Sequence, residues 1–187
     1  MAVKETTVST GIVRLSYEHL WEPAAIEEGQ EKKYSASFII PKSDKKTLAK
    51  IKKAIELAKE NGKTSKWGGV IPKNLKTPLR DGDEERPDDP AYKDAYFINA
   101  NCSISRPPFI VDGSKRPIST QSTVYSGCYG NASVTFYPFS AAGNKGIACG
   151  LNGFMFRRDG EALATRISAD EAFADIEVDD DDDDLFD

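Results

Sequence analysis

Five stretches of this chain alternate apolar and polar residues with a period of two, and only one repeats at helical spacing. Alternation of that kind is the mark of strands buried on one face. "GIVRLSY" (11–17) sets Val13, Leu15 and Tyr17 on one side and Arg14 and Ser16 on the other. "KYSASFII" (33–40) aligns Tyr34, Ala36, Phe38 and Ile40. "YFINANCSI" (96–104) turns Tyr96, Ile98, Ala100, Cys102 and Ile104 inward and Asn99, Asn101 and Ser103 outward. "NASVTFYPF" (131–139) and "KGIACGLNGFMF" (145–156) follow, joined by Ala-Ala-Gly-Asn, a hairpin-type turn. At least five such strands suit a small β-barrel better than a layered α/β sheet.

The helical stretch covers about residues 44–61. Asp44 is a good N-cap, Leu48, Ile51, Ile55 and Ala58 recur on one face, and Asn61-Gly62 reads as the stop. Its other face carries Lys45, Lys46, Lys50, Lys52, Lys53 and Lys59. Lys45 and Lys46 lie in the first turn, where the helix dipole disfavours cations, so helix stability does not explain them.

Residues 62–95 show no periodic element. A basic half, with Lys63, Lys66, Lys73, Lys76 and Arg80 around Trp67, gives way to "DGDEERPDDP". Loops this long inside a compact domain are more often functional than idle. Residues 170–187 hold eleven of the 30 acids and none of the 25 bases, so residues 1–169 carry +6 and the tail −11. The expected organisation is one domain over 1–169 followed by a disordered acidic tail over 170–187. A basic body joined to an acidic end points to a nucleic-acid or other charged partner.

Catalytic chemistry is thinly represented. His19 has no nucleophile motif nearby and reads as structural, and Cys102, Cys128 and Cys149 lack the close spacing of zinc ligands. No Walker sequence occurs. Asp81, Asp83, Glu84, Glu85, Asp88 and Asp89 could in principle hold a divalent ion, but Gly and Pro interrupt them and a solvated loop is the expectation. No metal or cofactor is expected. No stretch reaches the ~18 apolar residues of a membrane span. The N-terminus lacks the apolar block of an export signal, so a cytoplasmic location is expected.

The aromatics are more telling. Along 129–139, Ala132, Val134 and Phe136 read as core, which leaves Tyr129, Tyr137 and Phe139 on the other face between small polar residues. Flat rings on a β-surface are how sequence-tolerant single-strand binders stack bases. A covering loop or a second subunit, as in a homodimer, would serve the rings as well. The candidate DNA track is therefore Lys63, Lys66, Trp67, Lys73, Lys76, Arg80, Tyr129, Tyr137, Phe139 and Lys145. The tail then acquires a role. Asp179, Asp180, Asp181, Asp182, Asp183 and Asp184 repeat charge every ~3.3–3.6 Å when extended, close to the phosphate spacing of one DNA strand. Such a segment can compete for a basic groove, and Leu185 and Phe186 add an apolar handle for protein partners.

The stretches "GIVRLSYEHLWEP", "KYSASFIIPKSDK", "LKTPLRDGDEERPDD", "YFINAN", "YSGCYGNASVTFYPF" and "NKGIACGLNG", followed by the aspartates, resemble a bacteriophage family of single-stranded DNA-binding proteins of the podovirus helix-destabilising type. The likeness covers nearly the whole chain. It implies an OB-fold body and a non-enzymatic role in phage DNA replication and recombination. Single-stranded DNA is then the partner, duplex DNA a weaker one, and replication or recombination proteins bind the tail. Two stretches depart from the pattern: Asn131 stands where a basic residue is expected, and "FMFRR" (154–158) is unusually rich in apolar and aromatic residues. The alternatives are a metal-dependent nucleic-acid enzyme using the carboxylates of 81–89 and an acidic-tailed protein-interaction module.

Overall fold

The structure, a computed structural model, describes residues 5–25, 27–163 and 172–176. Strands are β1 (Thr7–Ser9), β2 (Val13–Ala24), β3 (Lys33–Pro41), β4 (Leu79–Asp81), β5 (Ala95–Ser103), β6 (Phe109–Val111), β7 (Tyr129–Ala141) and β8 (Asn144–Arg158); helices are α1 (Lys45–Ser65) and the single-turn α2 (Gly82–Glu85). The five alternating stretches become β2, β3, β5, β7 and β8, and these close into a ring. β7 pairs β2, β2 pairs β3 and β3 pairs β5, all antiparallel. β8 then joins β5 through one parallel pair, Asn101 opposite Gly150, and returns to β7 along an antiparallel ladder. The hairpin expected between β7 and β8 turns on Ala142 and Gly143, both with positive φ, as a two-residue loop between twisted strands requires.

Inside the ring lie Val13, Leu15, Phe38, Ile40, Ile98, Ala132, Val134, Phe136 and Phe154, all buried. α1 packs on β7 and β1 through Leu48, Ile51, Ile55 and Ala58, as its spacing predicts. The Asp44 carboxylate caps it by accepting from the Thr47 amide at 3.1 Å. The helix does not stop at Asn61-Gly62 but runs to Ser65. Gly62 serves close packing instead: a Cβ there would fall 2.6 Å from the Pro138 side chain and 2.7 Å from the Trp67 ring.

Three further expectations are corrected. Tyr17 is exposed, because the β2 register slips between Ser16 and His19 and Tyr17 takes a φ of 46°. Ile104 lies beyond the end of β5 and is exposed. Residues 62–95 hold β4, α2 and a 3₁₀ turn (Pro90–Tyr92), each too short to show a period. This segment covers the outer face of β3 and β5, where Ile39, Tyr92, Ala95 and Phe97 form a second, smaller core.

Four acids of that segment, Asp81, Asp83, Glu85 and Asp89, are committed to structure. Lys42 Nζ pairs with Asp81 at 2.9 Å and Asp83 at 2.8 Å. Asp89 caps the 3₁₀ turn and Glu85 meets Arg80 at 3.3 Å. No group of three or more His, Cys, Asp or Glu converges to hold a metal among the described residues.

Candidate nucleic-acid interface

The outward face of β7 opens into a groove of about 1110 Å³ between β7, β8, the end of β5 and residues 106–111. β7 supplies Asn131, Ser133 and Tyr137, and β8 supplies Gly150, Asn152, Gly153, Met155 and Arg157. The far wall carries Arg106 and Phe109. Phe109, at 75% exposure, is the most exposed large hydrophobic residue of the described chain. It projects from a three-residue edge strand that pairs with β8 only in parallel, Phe109 opposite Gly153.

The lining of this groove carries positive charge and no negative charge. At the share of acids in residues 1–169, 19 in 169, about two carboxylates would be expected among its 20 lining residues, and there are none. Two guanidiniums, of Arg106 and Arg157, stand at its margin. The other titratable groups in it stay neutral near pH 7, since burial pushes both the Cys102 thiol and the Tyr137 phenol upward. A polyanion entering the groove meets cations, amides, hydroxyls and rings, and no like charge.

Tyr137 is the pivot. Its side chain, 45% exposed, lines this groove and also a second hollow of about 640 Å³ formed with Asn61, Thr64, Ser65, Lys66, Pro138, Phe139 and Ser140. Gly150 on β8 gives the ring its seat, since even a Cβ there would lie 3.4 Å from the ring edge. An extended strand crossing Tyr137 would pass from the Phe109 end of the first groove to the Lys66 side of the second.

The structure gathers some of the expected residues and separates others. Lys66, Tyr137 and Phe139 share the second hollow. Lys76 and Lys145 are brought together at the β7–β8 hairpin, where the Lys76 amide donates to Lys145 O at 3.3 Å, and Lys76 O accepts from the Ile147 amide at 2.8 Å. Lys63 and Lys73 are exposed but line neither hollow. Arg80 sits on β4 opposite Phe97, engaged with Glu85. Tyr129 lies beneath two guanidiniums, Arg158 at 4.6 Å and Arg14 at 5.5 Å.

Trp67 is a correction: it is 6% exposed, with its indole N–H donating to Phe139 O at 3.1 Å. Its ring is part of the core and is closed to a base. Asp179 to Asp184, Leu185 and Phe186 lie outside the described residues. Sequence reasoning missed Arg106, Phe109 and Arg157. The signal was present in "SRPPFIVDGSKRP" (105–117), which joins an aromatic to bases and prolines, but without a period to assign it to an element.

Comparison with known proteins finds relatives of this chain in both sequence and fold. Residues 6–186 match the family described as "Enterobacter phage Enc34, ssDNA-binding protein". A putative protein, p50, of Acyrthosiphon pisum secondary endosymbiont phage 1 is 34% identical over 161 residues, covering 81% of this chain and 83% of the relative. The single-stranded DNA-binding protein of bacteriophage Enc34, solved in complex with ssDNA, superposes with a TM-score of 0.74 at 26% identity, over 86% of this chain and 91% of that one. The gp2.5 single-stranded DNA-binding protein of bacteriophage T7 shares the fold at 14% identity, with a TM-score of 0.61 over 94% and 96% of the two chains. The ring is thus OB-like, with one main helix. The family and both solved relatives are described as single-stranded DNA-binding proteins, a non-enzymatic class. With a match running almost end to end, the chain belongs to the family of the Enterobacter phage Enc34 ssDNA-binding protein.

Proposed function

We propose that this protein coats single-stranded DNA in the host cytoplasm during phage DNA replication and recombination, with little base preference. The observation that carries the reading is the carboxylate-free groove in which exposed Phe109 and Tyr137 are flanked by Arg106 and Arg157. Rings stack any base, and the guanidiniums follow the backbone. Lys66, Lys76, Lys145 and Phe139 extend the track past Tyr137, and duplex, which hides its bases, binds more weakly.

The acidic residues 170–187 act as a tethered competitor for this track. Support comes from the placement of residues 161–163: Leu163 donates its amide to Ser126 O at 2.9 Å, and Arg14 holds Glu161 O at 2.7 Å, which sets this segment beside the Tyr129 end of β7. When DNA displaces the tail, Leu185 and Phe186 become free to recruit replication proteins.

One experiment tests both halves: binding of unstructured oligonucleotides across a salt series, with the whole chain and with residues 170–187 removed. If about five phosphates are neutralised, log K falls against log salt with a slope near −3.5. Removal of the tail, which carries −11, raises affinity most at low salt and more for duplex than for single strands. A flat salt response refutes the groove as a DNA site, and equal low-salt affinities with and without the tail refute the competitor.

A further inference from the structure

At one end of the groove β8 carries one residue more than its partner. Gly130 pairs with Phe156 and Tyr129 with Arg158, so Arg157 is the extra residue of a β-bulge. Bulges break the alternation of a strand and re-aim a side chain. Here the break lets two consecutive arginines serve the same side of the sheet, Arg158 over the Tyr129 ring and Arg157 towards Asn131.

The contact with Asn131 has an unusual electrostatic character. Arg157 Nη1 donates to Asn131 Oδ1 at 3.1 Å, and Asn131 Nδ2 in turn donates to Thr10 O at 2.9 Å. Thr10 is itself fixed, since its amide donates to Ala132 O at 3.0 Å and its hydroxyl accepts from the Ala132 amide at 2.9 Å. The amide of Asn131 therefore ties an exposed guanidinium to a rigid strand corner. A carboxylate would hold the same guanidinium and cancel its charge; an amide holds it and leaves the charge whole.

Other arginines of the described chain are spent differently: Arg80 on Glu85, Arg86 on three aromatic rings, Arg14 on two backbone carbonyls. Among the described residues Arg157 has no carboxylate within ion-pair distance.

We infer that Asn131 is a positioning residue that presents Arg157, at full charge, as a fixed phosphate clamp at this end of the groove. The inference rests on the groove being the single-strand site. It assigns Asn131 no contact with DNA of its own.

A double-mutant cycle on the full-length protein tests it, using an unstructured oligo-dT probe over a salt series and a thermal melt for each variant. Arg157→Ala lowers affinity and flattens the salt slope by about 0.7, one phosphate of a single strand. Asn131→Ala lowers affinity about two- to tenfold, the scale of one ordinary net hydrogen bond, and leaves the slope in place because the charge remains. In the Arg157→Ala background Asn131→Ala adds nothing. Asn131→Asp keeps an acceptor for the guanidinium but gives up the donor to Thr10 O, and it flattens the slope as Arg157→Ala does because a carboxylate now cancels the charge, whereas Arg157→Lys keeps the slope with reduced affinity. A merely structural role for Asn131 would weaken binding equally in both backgrounds, and that additivity overturns the proposal. So does an unchanged slope in Arg157→Ala. Tyr137→Ala separates the two levels. If it weakens binding while the Arg157 variants do not, the clamp falls and the groove stands; if neither does, the groove falls with it.

Discussion

Two regions of this molecule are built from the same chemistry, arginines beside aromatic rings, and arrange it in opposite ways. On the outer face of β3 and β5 the guanidinium of Arg86 lies 5.0 Å from the centres of the Tyr17, Tyr92 and Phe97 rings. Its Nη1 meets the Tyr17 hydroxyl at 3.3 Å, and its Nε is buried without a hydrogen-bond partner. The rings are the partners of this cation, and the cage fastens residues 82–92 over the second core. On the β7–β8 face, Arg106 and Arg157 stand beside Phe109 and Tyr137 across a groove that nothing in the described chain fills. The composition of a patch does not separate a staple from a site. The deciding question is whether the cation and the rings find each other inside the chain or are held apart.

The contrast breaks most visibly at Arg86. Replacing it with Ala removes three cation–π contacts from a partly buried setting and should cost about 2–3 kcal/mol of stability, measured by urea unfolding. Arg86→Lys should recover little, because an ammonium cannot spread across three rings as a planar guanidinium does. Single-strand affinity and its salt slope, measured where the variant is folded, should match the parent. A large loss of DNA affinity would place this cage in the binding site and erase the distinction.

Tyr137→Ala probes the other side. The ring is half open and rests on Gly150, so unfolding should change by less than about 1 kcal/mol, whereas single-strand binding should weaken by ~1–3 kcal/mol if a base stacks there. An unfolded variant would show instead that Tyr137 belongs to the core.

How much of this was legible in the sequence follows the same division. The five ring strands, the buried face of α1 and the β7–β8 hairpin were all readable, because period and turn chemistry act over neighbouring residues. Bulges were not. Tyr17 reads as core until a register slip turns it out, and Asn131 and "FMFRR" read as two separate oddities until a one-residue bulge brings Arg157 onto Asn131. Trp67 misled for another reason. A ring among lysines looks the same on a chain whether it covers a core or offers itself to a ligand, and only the packing of Gly62 and Pro138 around it decides. The far wall of the groove is a three-residue strand in a proline-rich loop, below the length at which any period can be read.

The smallest effect belongs to the latch that closes the stapled region, Lys42 between Asp81 and Asp83. The hydrogen bond from Lys42, followed by that from the Asp94 amide, holds the Asp83 carboxyl below its ordinary 3.8. The Lys42 ammonium is pushed up, first by Asp83 and then by Asp81. For Asp83, a depressed folded value means stability that is present above pH 3.8 and lost as the pH falls through the folded value. For Lys42, a raised folded value means stability fully present below 10.5 and lost as the pH climbs towards the folded value. The latch is therefore whole between these limits and opens on the acid side first under ordinary conditions. All three side chains are partly open to water, which screens the pairs and keeps their contribution small. Lys42→Met should accordingly change stability little at neutral pH. Its unfolding midpoint should fall less than the parent's on acidification from about pH 5 to about pH 2.5, because the carboxylate that protonates no longer has a cation to lose. Parallel acid profiles would show that the latch adds nothing to the staple, leaving the Arg86 cage and the second core to hold residues 82–92 by themselves.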